Sequence, residues 1–154
     1  NLVVLRTLSK AWALAAERIG IMLASPEIIA LTRQVLPPYP LAASSLEAVA
    51  RSLESSAVAA MQARVAETIA ERTRLAAALA SSPAVRRAFP SAANFLLVRL
   101  AAAVGVRRRL EAAGVRVRGF EEPALEDCLR ITVGSRDEND LLLVLLQGAE
   151  SRCA

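Results

Sequence analysis

Thr7-Leu8-Ser9-Lys10-Ala11-Trp12-Ala13, with Arg18-Ile19-Gly20 a few residues on, is the stretch that decides how this chain is read. Lys10 is its only lysine; every other basic residue is arginine. A guanidinium stays protonated, whereas a primary amine with a lowered pKa can condense with an aldehyde. Thr7 and Ser9 place hydroxyls just before that amine, and Arg18 adds a planar positive fork. Donors of this kind suit a phosphate ester. The small residues Ala11, Ala13, Ala15 and Ala16 let backbone approach a flat ring. Without any ligand, the same stretch reads as a strand, a turn and a strand, with Arg18 on the surface.

Working outward, residues 2–8 read as a buried aliphatic strand and 18–23 as a second. Ser25-Pro26-Glu27 opens a helix, with Ser25 as N-cap and proline at the first helical position. Pro37-Pro38-Tyr39-Pro40 forces a stiff, extended loop. Helix resumes near Ser44 or Ser45. A long helix is expected over 58–80, its apolar residues Met61, Val65, Ile69, Leu75 and Leu79 separated by Arg64, Glu67, Glu71 and Arg74. Beyond it come a strand over 94–99, a helix over 103–113 capped at Gly114, a half-buried strand over 115–118 and a strand over 128–133. Ser135 and Glu138 have the spacing of a capping box for a last helix.

The pattern is α/β, with an α+β module at its end. Residues 1–58 read as part of one domain and 59–154 as a second, smaller one. The chain opens at Asn1 directly in an apolar run, and reads as a piece of a longer protein. No apolar run reaches the roughly 20 residues that span a bilayer, and no signal peptide is visible, since Arg6 and Lys10 interrupt the first apolar stretch. With no histidine, Ser-His and Cys-His nucleophile pairs and His-ligated metals are excluded within this chain. Cys128 and Cys153 lack metal spacing and read as reduced thiols of a cytoplasmic protein. The net charge of +4 and pI near 10 raise the question of nucleic acid. The arginines are spread out and interleaved with glutamate, however, and Arg107-Arg108-Arg109 reads as a solvated helix face. Neither nucleic acid nor a membrane surface is expected as a partner.

The Thr7–Gly20 stretch resembles the pyridoxal-phosphate attachment motif of fold-type I aminotransferases, most of all the histidinol-phosphate aminotransferases. Pro37-Pro38-Tyr39-Pro40, Ser91-Ala92-Ala93-Asn94-Phe95, Gly114-Val115-Arg116-Val117-Arg118 and Cys128-Leu129-Arg130-Ile131-Thr132-Val133-Gly134 continue the resemblance in order. It implies the end of a large-domain sheet, a long linking helix and a small C-terminal domain. Lys10 would carry the cofactor as a Schiff base and shuttle a proton, while Ser9 and Arg18, with Thr7, hold its phosphate. Arg130 would take the substrate carboxylate and Arg118 a substrate phosphate. The implied reaction passes the amino group of glutamate to imidazole-acetol phosphate, in a homodimer acting on small molecules. The alternatives within the same fold are a threonine-phosphate decarboxylase, which has much the same motif set, and an aromatic or broad-range aminotransferase. Glu17 departs from the family, which has an apolar residue there, as does Ala16, near which the family has a glycine. Strand alternation would turn Glu17 away from Arg18. The resemblance also implies that the cofactor-ring aspartate, the asparagine and tyrosine on the cofactor oxygen, a glycine-rich turn and a tyrosine from a second subunit lie upstream of Asn1. The chain alone is then expected not to transaminate, and to act at most as a folding or interaction unit.

Overall fold

A computed structural model describes residues 1–147; Cys153 lies outside them. The elements in order are β1 (Val4–Thr7), β2 (Gly20–Leu23), α1 (Pro26–Val35), α2 (Ala43–Ser52), α3 (Ser55–Ala80), β3 (Val85–Ala88), β4 (Phe95–Leu100), α4 (Ala103–Ala112), β5 (Cys128–Thr132) and α5 (Arg136–Gln147). They divide into two compact units, Asn1–Val65 and the residues from Ala66 on, with the boundary inside α3.

In the first unit β1 and β2 pair antiparallel, from Val4 opposite Leu23 to Thr7 opposite Gly20. The second strand begins at Gly20, later than the sequence suggests, because residues 15–18 form a turn. Residues 2–8 are not the buried strand expected: β1 is exposed throughout, with β2 its one paired neighbour among the described residues. Leu8 and Ile19, 4% and 7% exposed, are the buried apolar residues here, whereas Leu2, Leu5, Leu23, Leu31 and Val35 are exposed. Pro26 starts α1, with Ser25 in the extended conformation of an N-cap but without a hydroxyl cap bond. The helix stops at Leu36 because a residue before proline is disfavoured in helical geometry. Tyr39 follows at φ +54° and is 98% exposed.

The second unit is built on an antiparallel sheet in the order β3-β4-β5. Buried residues alternate along β4, as expected when one face of a sheet is covered. Leu96, Val98 and Leu100 share that face with Leu129 and Ile131, and they pack with Leu75 and Leu79 of α3, Val106 and Leu110 of α4, and Leu142 and Leu146 of α5. Of the expected apolar stripe on α3, Ile69 is exposed and Met61 and Val65 are half-buried. Gly114, at φ +80°, ends α4 as a left-handed cap, and the Val115 N–H returns to the Leu110 carbonyl at 2.8 Å.

The sequence reading needs three corrections in this unit. β3, Val85-Arg86-Arg87-Ala88, was not expected: it is a bulged edge strand whose two exposed arginines hide the period of two and also protect the edge from pairing with other chains. Residues 115–118 are not a strand, because their backbone pairs with β5 only at the Arg118–Arg130 bridge. Glu71 is not on the polar face of α3 but is 7% exposed and paired. Asn139, 2% exposed, donates to the Glu71 carboxylate and to the Gly134 carbonyl and accepts from the Gly134 N–H, each at 3.0 Å. Arg74 adds three bonds to Glu71 and an ion pair to Asp140 at 2.7 Å. These bonds hold the Glu71 carboxyl at about 2 despite its burial, Arg74 contributing most and Asn139 next.

Candidate functional site

The β1–β2 hairpin sets Thr7, Ser9 and Lys10 on one limb and Arg18 on the other, at the same end of the two-stranded sheet. The limbs are tied by the Leu8 N–H to the Ile19 carbonyl at 3.4 Å, and the loop by the Leu14 N–H to the Leu8 carbonyl at 3.1 Å. Buried Leu8 therefore fixes the base of the loop while its neighbour Lys10 is exposed. The Thr7 hydroxyl donates to Ser9 Oγ at 2.8 Å and accepts the Ser9 N–H at 3.1 Å, which places both hydroxyls together as the sequence suggests. Arg18 has φ +54° and donates to the Ala15 carbonyl at 2.8 Å. A non-glycine residue in the left-handed region carries strain of order 1 kcal/mol. Its placement is therefore imposed by the loop rather than chosen for stability.

Glu17 and Arg18 lie in the turn, so strand alternation does not decide where Glu17 points. Among the described residues Glu17 forms no ion pair with Arg18, and the Lys10 side-chain amine has neither an ion-pair nor a hydrogen-bond partner, although the Lys10 carbonyl accepts from the Ala13 N–H at 3.0 Å. A free amine, two adjoining hydroxyls and a guanidinium form a donor set that fits an aldehyde bearing a phosphate.

The second unit carries the other two arginines. Arg118 N–H donates to the Arg130 carbonyl at 3.1 Å and Arg130 N–H to the Arg118 carbonyl at 2.8 Å. Directly opposed residues share a face, and Leu97 opposite Arg130 completes the row. Both guanidiniums thus stand on the sheet face away from the core. Arg130 lies over the Phe95 ring at 5.1 Å and Arg118 over Phe120 at 5.4 Å. Among the described residues neither has a carboxylate partner, and Arg130 Nε is buried without an acceptor. Like charges set directly opposite are destabilising unless an anion joins them. By contrast Arg99, on the same face, is neutralised by Asp127 at 3.0 Å. Burial, and then a bond to Asp127, push the Cys128 thiol up, which keeps it protonated.

A cleft of about 450 Å³ opens where residues 114–117 leave β5, lined by Arg116, Thr132 and Glu138 among others, and it includes neither Arg118 nor Arg130. No group of metal-ligating side chains occurs among the described residues. No helix among them is long and apolar enough to cross a membrane.

Residues 1–146 match the family of class I and II aminotransferases, and the chain belongs to that family. Its α/β architecture is that of the C-terminal portion of a fold-type I pyridoxal-phosphate aminotransferase. Histidinol-phosphate aminotransferase of Stenotrophomonas maltophilia is 50% identical over 95% of the chain and 40% of its own length. That of Xylella fastidiosa is 46% identical over 98% and 42%. The chain therefore spans about two fifths of the length of these relatives. Among solved structures, an aminotransferase-like protein of Burkholderia pseudomallei superposes with a TM-score of 0.85 at 32% identity, over 95% of this chain and 44% of the other. Histidinol-phosphate aminotransferase of Sinorhizobium meliloti, solved with pyridoxal-5'-phosphate, has a TM-score of 0.69 at 24% identity over 96% and 40%, and supports the fold alone.

Proposed function

We propose that the intact protein is a pyridoxal-phosphate-dependent aminotransferase of histidine biosynthesis, passing the amino group of glutamate to imidazole-acetol phosphate to give histidinol phosphate and 2-oxoglutarate. The observation that carries this reading is the unpartnered Lys10 amine beside the Thr7–Ser9 hydroxyl pair and the strained Arg18. The identity to two histidinol-phosphate aminotransferases supports the choice of substrate.

When bound, pyridoxal phosphate supplies the electron sink that lets an amino acid's α-carbon lose its proton. Lys10 holds that cofactor and, once released from it, carries the proton to and from the α-carbon. Ser9 and Arg18, with Thr7, hold the cofactor phosphate. Arg130 anchors the substrate carboxylate and Arg118 the substrate phosphate, by the charge-assisted forks a guanidinium offers an oxyanion. The protein acts as a cytoplasmic homodimer on small molecules, and the 154-residue chain alone does not turn over.

Adding pyridoxal phosphate to the intact protein should produce a visible absorption band that is absent in Lys10→Ala. No band from the unsubstituted protein would sink the enzyme reading. Formation of 2-oxoglutarate from glutamate separates transamination from a decarboxylase of the same fold, which would release carbon dioxide instead.

A further inference from the structure

The run Arg107-Arg108-Arg109 is not uniformly solvated. Arg108 and Arg109 are exposed, but Arg107 is half-buried and turned across the chain toward Gly119. A Cβ built on Gly119 would lie 2.6 Å from Arg107 Nη1 and 3.3 Å from its Cδ. A real Cβ essentially never comes that close to another heavy atom, so the guanidinium occupies the space a side chain at 119 would need. The backbone of Gly119 is not left-handed. Its missing side chain therefore serves close approach rather than an unusual φ.

What this contact holds is the segment that presents Arg118. Arg118 and Phe120 flank Gly119, and the Arg118 guanidinium stacks on the Phe120 ring. On one side the segment pairs with β5 at the Arg118–Arg130 bridge, and Val115 and Val117 before it pack against the core. On the other it meets Arg107. That arginine stands on α4, a helix locked into the core through Ala103, Val106 and Leu110. Arg107 Nε lies 3.4 Å from Glu111 Oε1, within ion-pair range, yet it is buried without a hydrogen-bond acceptor. Leaving a buried donor unsatisfied is unfavourable, which argues that packing against Gly119 sets where the side chain lies.

We propose that Arg107 is a positioning residue. It braces Gly119 from α4 and so fixes the place of Arg118, which tunes the preference for a phosphate-bearing substrate. This rests on the reading of Arg118 as the substrate-phosphate group. It predicts that disturbing the brace weakens recognition of the phosphate and leaves recognition of the rest of the substrate intact.

The test uses the intact protein with histidinol phosphate and, as the phosphate-free probe, histidinol. In Gly119→Ala the arginine must swing aside, a movement of a flexible side chain that leaves the fold in place. kcat/KM for histidinol phosphate should fall about tenfold, as misplacement by a fraction of an ångström to an ångström does, mostly through KM. The value for histidinol should change less than about twofold. Arg107→Ala should show the same selectivity, and adding Gly119→Ala to it should do nothing more, because the steric conflict is gone. Equal losses on both substrates, additive losses in the double variant, or no loss would each overturn the proposal. Arg118→Gln is the control. If it too fails to discriminate the substrates, the functional reading of Arg118 falls, and the brace loses its purpose. If it discriminates while the Arg107 and Gly119 variants do not, only the brace is refuted.

Discussion

Asn139→Ala removes the most deeply buried polar side chain among the described residues and is the sharpest test of how the second unit is held. The Asn139 amide makes three bonds at 3.0 Å: one to the Glu71 carboxylate, and two that clip both the N–H and the carbonyl of Gly134 at the end of β5. A bond to a charged group contributes about 1.5–3 kcal/mol and a neutral one about 0.5–1.5. The alanine variant should therefore lose roughly 3–5 kcal/mol, allowing for non-additivity among bonds that share one side chain. Domains of this size have only about 5–15 kcal/mol in all. Urea unfolding at neutral pH, followed by far-ultraviolet circular dichroism, should show a lower midpoint at an unchanged slope. The same network predicts an acid limb. Glu71 is held at about 2, well below the usual carboxylate value. Its stabilisation is therefore fully present above about pH 4.5 and is lost as pH falls towards about 2. Without the Asn139 donor the depression shrinks, and the acid limb should begin at higher pH. A loss under about 1 kcal/mol would refute the assignment. So would the same acid limb in both proteins.

Arg18→Gly should raise the melting temperature of the cofactor-free protein by relieving about 1 kcal/mol of left-handed strain, while weakening pyridoxal phosphate binding at least about tenfold through the lost fork; calorimetry and a cofactor titration measure the two effects separately. Arg130→Gln keeps the backbone bridge to Arg118 and relieves a like-charge pair, so the fold should be no less stable, while KM for glutamate rises about a hundredfold. Ser135→Ala removes the hydroxyl that closes the capping box on Glu138, where the Ser135 N–H donates to Glu138 Oε2 at 2.7 Å; thermal unfolding should report a loss of about 1 kcal/mol.

Much of this was legible in the chain because local chemistry and tertiary packing agree there. The apolar strand over 94–99, the Gly114 cap, the Ser135–Glu138 box and the proline stop before Pro37 each depend on neighbours in sequence, and each is realised. What escaped depends on partners far along the chain. Glu71 looks like a surface residue by spacing and becomes buried through Asn139, a partner 68 residues away. Arg107 looks solvated until Gly119 supplies a surface without a side chain. The Val85–Ala88 edge strand lacks alternation because its arginines are there to face water. At the candidate site, the sequence placed Thr7 and Ser9 together and the structure brings them to 2.8 Å. The left-handed turn at Arg18 carries no glycine or asparagine to announce it.

Lys10 is the amine proposed to carry the cofactor. Reductive trapping of pyridoxal phosphate on the intact protein with borohydride, followed by peptide mapping by mass spectrometry, tests it most directly. One stable adduct is expected, on the peptide containing Lys10, and it should be absent in Lys10→Ala. An adduct confined to another residue, or none in the unsubstituted protein, would contradict it.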